Sequence, residues 1–454
     1  MPDRLQNDVS VVDVHAPDFA DGLTNSGPRM LKRDLRLLIE KKRDGGELQA
    51  SEWEDIVAQS LSSGGDVAQI SALLMACVCR GMSGAETVAL TRAMVQSGEE
   101  LSFTLFSNAA DKHSSGGVGD TASLILVPLL AACGENVAKL SGRALAHTGG
   151  TLDKLASIPN FNVHLEPAEF EAIIARVGCA ITSQSSRLVP ADKTLYELRD
   201  RTGTVPCIGL IAASIVSKKI AGGARRIAFD VKTGSGAFMK TLEQARSLAT
   251  MLVDTVAEFG REAIALITDM NQPLSPQIGT GVEIVMAREF LAGRERPPRL
   301  ANVVREIASE LLATHMARRE AIAIVDSVLS GDEPMNRFEA MIEAQGGDLE
   351  AFKRMQPLPP RALLAPVSGT VAAIDTQGLG NLARSIVERY GDLAGVRIDA
   401  SIGERIEAGQ PVGSVFGAGA REVQEVCNTL SIIEEEVQAP PLVYERMAHL
   451  QHSQ

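Results

Sequence analysis

Apolar and polar positions change rhythm along the chain, and the changes divide it. From about residue 29 to 105 the apolar positions recur at helical spacing. Ser83 and Glu86 form a helix-start signature, in which a hydroxyl accepts an orphan helix amide while the acid three residues on reaches back. Val88, Leu90 and Met94 continue one apolar face behind it, so this block predicts an all-α lobe. From about 106 the texture becomes short β-branched or Leu runs that end in Gly-rich loops, each followed by a helical pattern. The runs are SLILVPLLAACG, VAKLSG, CAITSQ, RRIAFDVKTGSG and AIALITDM. Strands alternating with helices predict an α/β lobe with a mixed or parallel sheet over 106–189 and 223–350, its ligands gathered at the carboxyl ends of the strands. Residues from about 190 to 222 are more helical than their surroundings and are expected to join the N-terminal helices in space. After the Pro-rich linker QPLPP, residues 361–445 alternate short β runs with turn residues, which predicts a small C-terminal β-rich domain of α+β type. Residues 1–28 are polar and aperiodic and read as a flexible arm.

Composition narrows the function classes. At 45% hydrophobic and 22% charged residues the chain of 454 can bury a sizeable core, which excludes disorder throughout. A net charge of -13 argues against broad nucleic-acid binding, which rests on excess Lys and Arg. It leaves an anionic small substrate open, because a local pocket can be positive on a negative protein. The six cysteines are widely scattered, and the close pair Cys77 and Cys79 is too tight for a C-x-x-C motif, so reduced structural thiols are expected. The N-terminus has no apolar signal core, and the longest apolar stretch, Ala122 to Cys133, contains Pro128 and falls well short of the ~20 residues that span a bilayer. A soluble cytoplasmic protein with no membrane or nucleic-acid partner is expected.

Two loops are candidates for chemistry. The first is Lys112-His113-Ser114-Ser115-Gly116-Gly117-Val118-Gly119-Asp120-Thr121-Ala122-Ser123. Its glycines let backbone amides turn toward an anion, its hydroxyls add donors and Lys112 adds charge, although it is not the G-x-x-x-x-G-K-[ST] loop. The second, Lys139 to Leu155, repeats the recipe of hydroxyl, glycine and cation after a short strand, with Thr151 where a helix would begin. A flexible Gly/Ser surface loop explains either one alone, but two within forty residues point to an anion site.

KHSSGGVGDTASL, SGRALAHTGGTLDKL, LVPADKTLYELRD, ASIVSKK and DVKTGSGAFMK, in this order, resemble the successive motifs of the thymidine and pyrimidine-nucleoside phosphorylases. QISALLMA, GMSGAE and LTRAMVQSG are similar to that family's helical domain, and QPLSPQIGTGVE to its later motif. The resemblance runs from about residue 30 to 290; the C-terminal third is weaker, because LGNLARSIVERYGDLAGV lacks the Gly/Arg-rich stretch of the family. It implies reversible phosphorolysis of a pyrimidine nucleoside to free base and pentose 1-phosphate, with inorganic phosphate as co-substrate and no required cofactor. It also implies a homodimer through the N-terminal helices.

Carried over residue by residue, the resemblance gives phosphate to Lys112, Ser114, Ser123, Lys139, Ser141 and Thr151. It gives the pyrimidine to Arg199, Ser214 and Lys218, with an apolar wall of Leu145, Val205, Ile211, Ile215 and Phe238. Ser214 and Lys218 are four apart, on one helix face, so both can reach one ligand. His113 is the acid or hydrogen-bond donor to the pyrimidine carbonyl, Arg199 and Lys218 share the catalytic role, and His147 belongs to loop structure. Lys139 stands where strict thymidine phosphorylases carry Met, which predicts that uridine is accepted beside thymidine and deoxyuridine.

Departures qualify this. Arg187 adds a cation near the expected cleft mouth, and Ala156 replaces a family Glu. A potassium site implied at Gly119, Thr121, Leu274 and Gln277 has Met286 where its acid belongs, with Glu283 nearby. Three other readings stay open: a strict thymidine phosphorylase, a non-catalytic nucleoside-binding protein, and an enzyme like anthranilate phosphoribosyltransferase. The last would need acids for magnesium-pyrophosphate, and residues 101–290 contain no adjacent Asp/Glu pair.

Overall fold

The computed structural model describes residues 33–63, 65–142 and 149–449; the arm expected over 1–28 lies outside them. The chain opens with four helices: α1 (Leu35–Arg43), α2 (Ala50–Leu61), α3 (Val67–Arg80) and α4 (Gly84–Gln96). Ser83 and Glu86 form the capping box that their spacing predicts. The Glu86 carboxylate does more than cap, since it also accepts from Lys42 Nζ at 2.6 Å and from Leu48 N at 2.9 Å, tying the first connection down inside the lobe. Trp53, Ile56, Leu73 and Leu90 fill its core.

Next come β1 (Ala109–Ser114), α5 (Ala122–Ala132), β2 (Asn136–Ser141), α6 (Thr151–Ala156), α7 (Pro167–Val177) and β3 (Cys179–Ser183). They are followed by α8 (Pro190–Thr202), α9 (Ile208–Ala221), β4 (Arg226–Thr233), α10 (Leu242–Ala257), β5 (Glu262–Asp269) and β6 (Gln277–Gly279). Five helices close this part: α11 (Gly281–Leu291), α12 (Pro298–Leu312), α13 (Arg318–Leu329), α14 (Glu333–Ala344) and α15 (Leu349–Arg354). The C-terminal part contains β7 (Pro360–Leu364), β8 (Gly369–Ile374), α16 (Thr376–Tyr390), β9 (Gly395–Ile398), β10 (Arg405–Ile406), β11 (Pro411–Phe416), α17 (Ala420–Cys427), β12 (Leu430–Ile433) and β13 (Val443–His449).

The central sheet runs β13-β5-β4-β1-β2-β3, parallel except for β13, which pairs antiparallel with β5 at the edge. The C-terminal region therefore does not stand alone: its last strand returns to the large sheet, and β6 of the large lobe enters the small antiparallel sheet β6-β9-β11-β7. A second small sheet, β10-β8-β12, sits beside it. Helix α9 packs on α4, and α8 on α2 and α3, so the segment around 190–222 lies against the N-terminal helices while following β3 in the chain.

One predicted strand is wrong. SLILVPLLAACG forms α5, and the strand of that region is the preceding AADKHS, β1. Helix α5 is surrounded by β1, β2, β3, α12 and α14, so every side of it is buried and the amphipathic period that identifies a helix disappears.

Candidate active site

The carboxyl end of β1 delivers Lys112, His113 and Ser114 to one place, at the edge where parallel sheets bind ligands. Lys112 is fully buried; its Nζ donates to Ser123 Oγ at 3.2 Å and lies 3.4 Å from Asp230 Oδ2. Lys232 Nζ shares that same carboxylate oxygen at 2.6 Å. Ser114 Oγ donates to Asp120 Oδ2 at 2.5 Å. Burial alone would raise the Asp120 carboxyl, but the ammoniums of Lys112, Lys232 and Lys154 and the Ser114 hydroxyl hold it far below the usual carboxylate range. The turn that brings Asp120 back needs glycine, because Gly119 has φ +62 and a Cβ there would lie 2.7 Å from Ser275 O.

Strand β2 brings the second set. Lys139 is buried, 3.8 Å from Asp111 Oδ1, while Asp111 Oδ2 is taken by Lys219 Nζ at 2.6 Å. Two ammoniums thus share one acid, and burial together with Lys219 pushes Lys139 down to about 7. Ser141 ends β2 and Thr151 begins α6, both half-buried, on either side of residues 143–148. No hydrogen bond between described residues ties them to Lys112. Leu145 and His147, expected in the pocket wall and the loop, lie outside the described residues. From α6, Lys154 reaches back to Asp120 O at 2.9 Å and pairs with Glu283 Oε2 at 2.5 Å.

The base set assembles on α8 and α9. Lys218 Nζ donates to Ser214 Oγ at 2.8 Å and to Asp192 Oδ2 at 2.5 Å, as their spacing on one helix face allows. Arg199 is buried, and its guanidinium donates to Val205 O at 2.8 Å, Leu210 O at 3.1 Å and Thr204 O at 3.4 Å. Three of its five N–H donors therefore hold the turn between α8 and α9, leaving two for a ligand. Ile211, Ile215 and Phe238 belong to one apolar cluster, whereas Val205, partly exposed, is not part of it. Helix α8 starts under strain: Val189, β-branched and followed by proline, has φ +49. Such a conformation costs about 1–3 kcal/mol and persists only where neighbours enforce it. Gln184 Nε2 caps the Leu188 and Val189 carbonyls, and Gly98 admits the chain, since a Cβ there would meet Val189 N at 2.9 Å.

His113 lies between the two sets. Burial, then the ammoniums of Lys219, Lys139, Lys218 and Lys112, hold its imidazole well below the ordinary histidine range. A neutral ring offers a hydrogen-bond donor to a pyrimidine carbonyl, and of the two roles open to it from sequence this is the one its surroundings favour. Arg187 is exposed and paired with Glu99 at 3.5 Å and Glu166 at 3.4 Å, so its charge is matched by surface acids. The implied potassium set lacks its acid. Met286 is a buried thioether, the nearby Glu283 is neutralised by Lys154, and Thr121 turns its hydroxyl to that same Glu283 at 3.0 Å. Of that set neutral oxygens such as Gln277 Oε1 remain, with no free acid to balance the charge of an ion. The six cysteines are free, as expected.

Sequence reasoning missed the acids and second cations that organise the site: Asp111, Asp120, Asp192, Asp230, Lys154, Lys219, Lys232 and Glu283. The signal was adjacency: all but Asp111 lie within motifs already singled out, and Asp111 directly precedes one.

Comparison with known proteins gives the family and the fold. Residues 36–98 match the helical bundle domain of a glycosyl transferase family, and residues 107–330 match its a/b domain. The thymidine phosphorylase of Agrobacterium fabrum is 41% identical over 405 residues, covering 85% of this chain and 92% of that one. The thymidine phosphorylase of Sinorhizobium fredii is 38% identical, covering 90% and 98%, and the pyrimidine-nucleoside phosphorylase of Geobacillus stearothermophilus is 38% identical, covering 90% and 99%. Among solved structures, anthranilate phosphoribosyltransferase from Thermus thermophilus aligns with a TM-score of 0.54 at 17% identity, covering 68% of this chain and 98% of that one, which shows a shared fold. Helical bundle, α/β lobe and the full-length likeness together mean that the chain belongs to the thymidine and pyrimidine-nucleoside phosphorylase family.

Proposed function

We propose that the chain catalyses the reversible phosphorolysis of pyrimidine nucleosides, uridine, thymidine and deoxyuridine among them, in nucleoside salvage or catabolism. The observation that carries this is the placement of His113 on β1 beside Lys112, which donates to Ser123, and Asp111, which joins Lys139 of β2 to Lys219 of the helix that carries Ser214 and Lys218. Phosphate held by Lys112, Ser123, Ser141, Thr151 and Lys139 attacks the anomeric carbon. As the new C–O bond forms, the C–N bond breaks and its electron pair passes to the pyrimidine. Arg199, Ser214, Lys218 and the His113 N–H donate to the carbonyl oxygens and ring nitrogen where that charge collects. Positioning two reactants across one carbon and donors aimed at the leaving anion supply the rate. Ser114 takes part differently from the other hydroxyls, because its proton already goes to Asp120 and its oxygen accepts from Gly116 N at 3.3 Å, which shapes the loop. The test is release of free base that requires phosphate, with pentose 1-phosphate as co-product; base release that ignores phosphate would defeat the reading.

Two predictions follow from the anion side. Lys112→Met is expected to raise the phosphate KM about ten- to 150-fold, the value of one charge-assisted hydrogen bond, and to change the nucleoside KM far less. The protein should stay folded, because Asp230 keeps Lys232 at 2.6 Å. An unchanged phosphate KM would remove Lys112 from the cradle. Lys139→Met is expected to lower the uridine-to-thymidine ratio of kcat/KM by roughly five- to 150-fold, since Met would leave a ribose 2′-hydroxyl buried without a partner. A wild type that rejects uridine would make the narrower thymidine-phosphorylase reading the right one. The pH dependence has a defined sign. Lys139 loses its proton as pH rises through about 7, so phosphate KM should climb with pH in the wild type relative to Lys139→Met.

The same reading includes a homodimer through the N-terminal helices, supported by the exposed apolar Leu37, Val67 and Met75 of α1 and α3. It also includes a cytoplasmic location; among the described residues no helix is long and apolar enough to cross a membrane.

A further inference from the structure

Asp192 is a charged group at the base site to which the proposed reaction has so far assigned no part. It stands at the third position of α8, where a carboxylate ordinarily accepts a free backbone amide of the helix start. Here it does not. Its Oδ2 accepts from Lys218 Nζ at 2.5 Å, and its Oδ1 is buried without a hydrogen-bond partner. The residue is 5% exposed, and the start of the helix that carries it is fixed by the strained Val189. The lysine is the more open member of the pair, its side chain 24% exposed against 6% for the acid.

The charged and titratable groups facing the Lys218 ammonium are Asp192 and Arg199 from α8, Lys219 from its own helix and His113 from β1; α4 and α10, also packed on α9, add no acid to this set. Among the described residues Asp192 is the sole acid of this set. Without it a buried ammonium would face a guanidinium and a second ammonium with no counter-charge, and the energetically cheap escape is loss of its proton. A neutral amine would still reach Ser214 but would no longer oppose the charge developing on a departing pyrimidine.

Resting on the phosphorolysis reading above, we propose that Asp192 is a positioning residue for the reaction, holding the Lys218 ammonium charged and against Ser214 Oγ so that a cation faces the base as the glycosidic bond breaks. Asp192 takes no proton itself. The electron pair of the breaking C–N bond goes to the pyrimidine, and Lys218 keeps its proton while donating the hydrogen bond.

The experiment uses the full chain and compares wild type, Asp192→Asn, Asp192→Glu, Lys218→Met and the double variant Asp192→Asn with Lys218→Met. Thymidine phosphorolysis is followed from pH 5.5 to 9.5, and folding by circular dichroism. Asp192→Asn is expected to lower kcat/KM for thymidine on the order of 100-fold, the scale of one lost transition-state donor. Its phosphate KM should move less than about threefold, and its activity should fall on the alkaline side at lower pH than in the wild type. Adding it to Lys218→Met should cost no further activity, the mark of two residues acting as one unit. Asp192→Glu should restore roughly tenfold of the loss, as expected if charge is what Asp192 supplies. Unaltered kcat/KM and pH profile in Asp192→Asn, or losses that multiply in the double variant, would overturn the inference. Should Asp192→Asn fail to fold, Asp192→Glu is read in its place: a loss of kcat/KM that disappears in the Lys218→Met background supports the proposal, and a loss that multiplies there overturns it. A wild type that releases base only with phosphate, beside variants that behave independently, would refute the role of Asp192 and leave phosphorolysis standing. A wild type without phosphate-dependent release would refute the reaction itself.

Discussion

Arg199→Ala is expected to lose two to three orders of magnitude in kcat/KM for the nucleoside and to lower the thermal midpoint at the same time. The activity loss follows from the role proposed for Arg199, a buried donor to the leaving base, about 2.7–4 kcal/mol of barrier. The stability term follows from the other half of the guanidinium, which donates to Thr204 O, Val205 O and Leu210 O and so closes the turn that starts α9. Alanine leaves those carbonyls without their charged donor, each such bond contributing about 1.5–3 kcal/mol. Because α9 carries Ser214 and Lys218, loosening its first turn also loosens the rest of the base set. Arg199→Lys separates the effects: it keeps a charge but not the planar fork, so it should recover little of the turn and little of the activity. Steady-state kinetics and a thermal melt on both variants check this. A folded Arg199→Ala enzyme with near-normal kcat/KM would show that the residue is structural only.

How much of this was legible in the sequence depends on what each residue does locally. The Lys112–Ser123 loop could be singled out because glycine, serine and lysine cluster there, and in the structure Lys112 bonds Ser123 while Ser114 bonds Asp120. The capping box at Ser83 and Glu86 could be read because it is a local bond between residues three apart. Strand β1 could not: four of its six residues are buried, yet it contains Asp111, Lys112 and His113, so it shows no apolar run to find. Its polar groups can be buried because they meet partners distant in sequence, Lys219 on α9 and Asp230 on β4. Helix α5 failed for the opposite reason, an apolar surface all round. The acids of the site were invisible individually, since an Asp beside a Lys in sequence is commonplace; only the fold reveals that Asp111 divides its two oxygens between Lys219 and the neighbourhood of Lys139. The return of β13 to the main sheet is likewise a long-range pairing that no local pattern announces.

Glu283 joins stability to the site, and its removal should have the largest effect on the fold. Its Oε2 pairs with Lys154 Nζ at 2.5 Å and accepts from Thr121 Oγ1 at 3.0 Å, while Oε1 accepts from Gly279 N at 3.1 Å. Both side chains of the ion pair are about 1% exposed. Burial pushes the Glu283 carboxyl up, against the pull of Lys154, so the pair is held by its partners rather than by solvent. Truncating one member of such a pair leaves an uncompensated buried charge, a loss of about 3–5 kcal/mol. Glu283→Ala is therefore expected to lower the thermal midpoint by roughly 3–5 °C, at about 1 °C per kcal/mol for a chain of 454 residues. The damage should also reach the anion loop, because Lys154 donates to Asp120 O and Thr121 follows directly, so phosphate KM should rise more than nucleoside KM. Replacing both members, Glu283→Leu with Lys154→Met, should recover much of the midpoint, since a matched apolar pair is often as stable as a buried ion pair. It should recover little of the phosphate affinity, since the bond to Asp120 O is still lost. A melt of Glu283→Ala within about 1 °C of wild type, about 1 kcal/mol on this scale, would mean that the pair is not the anchor its burial indicates.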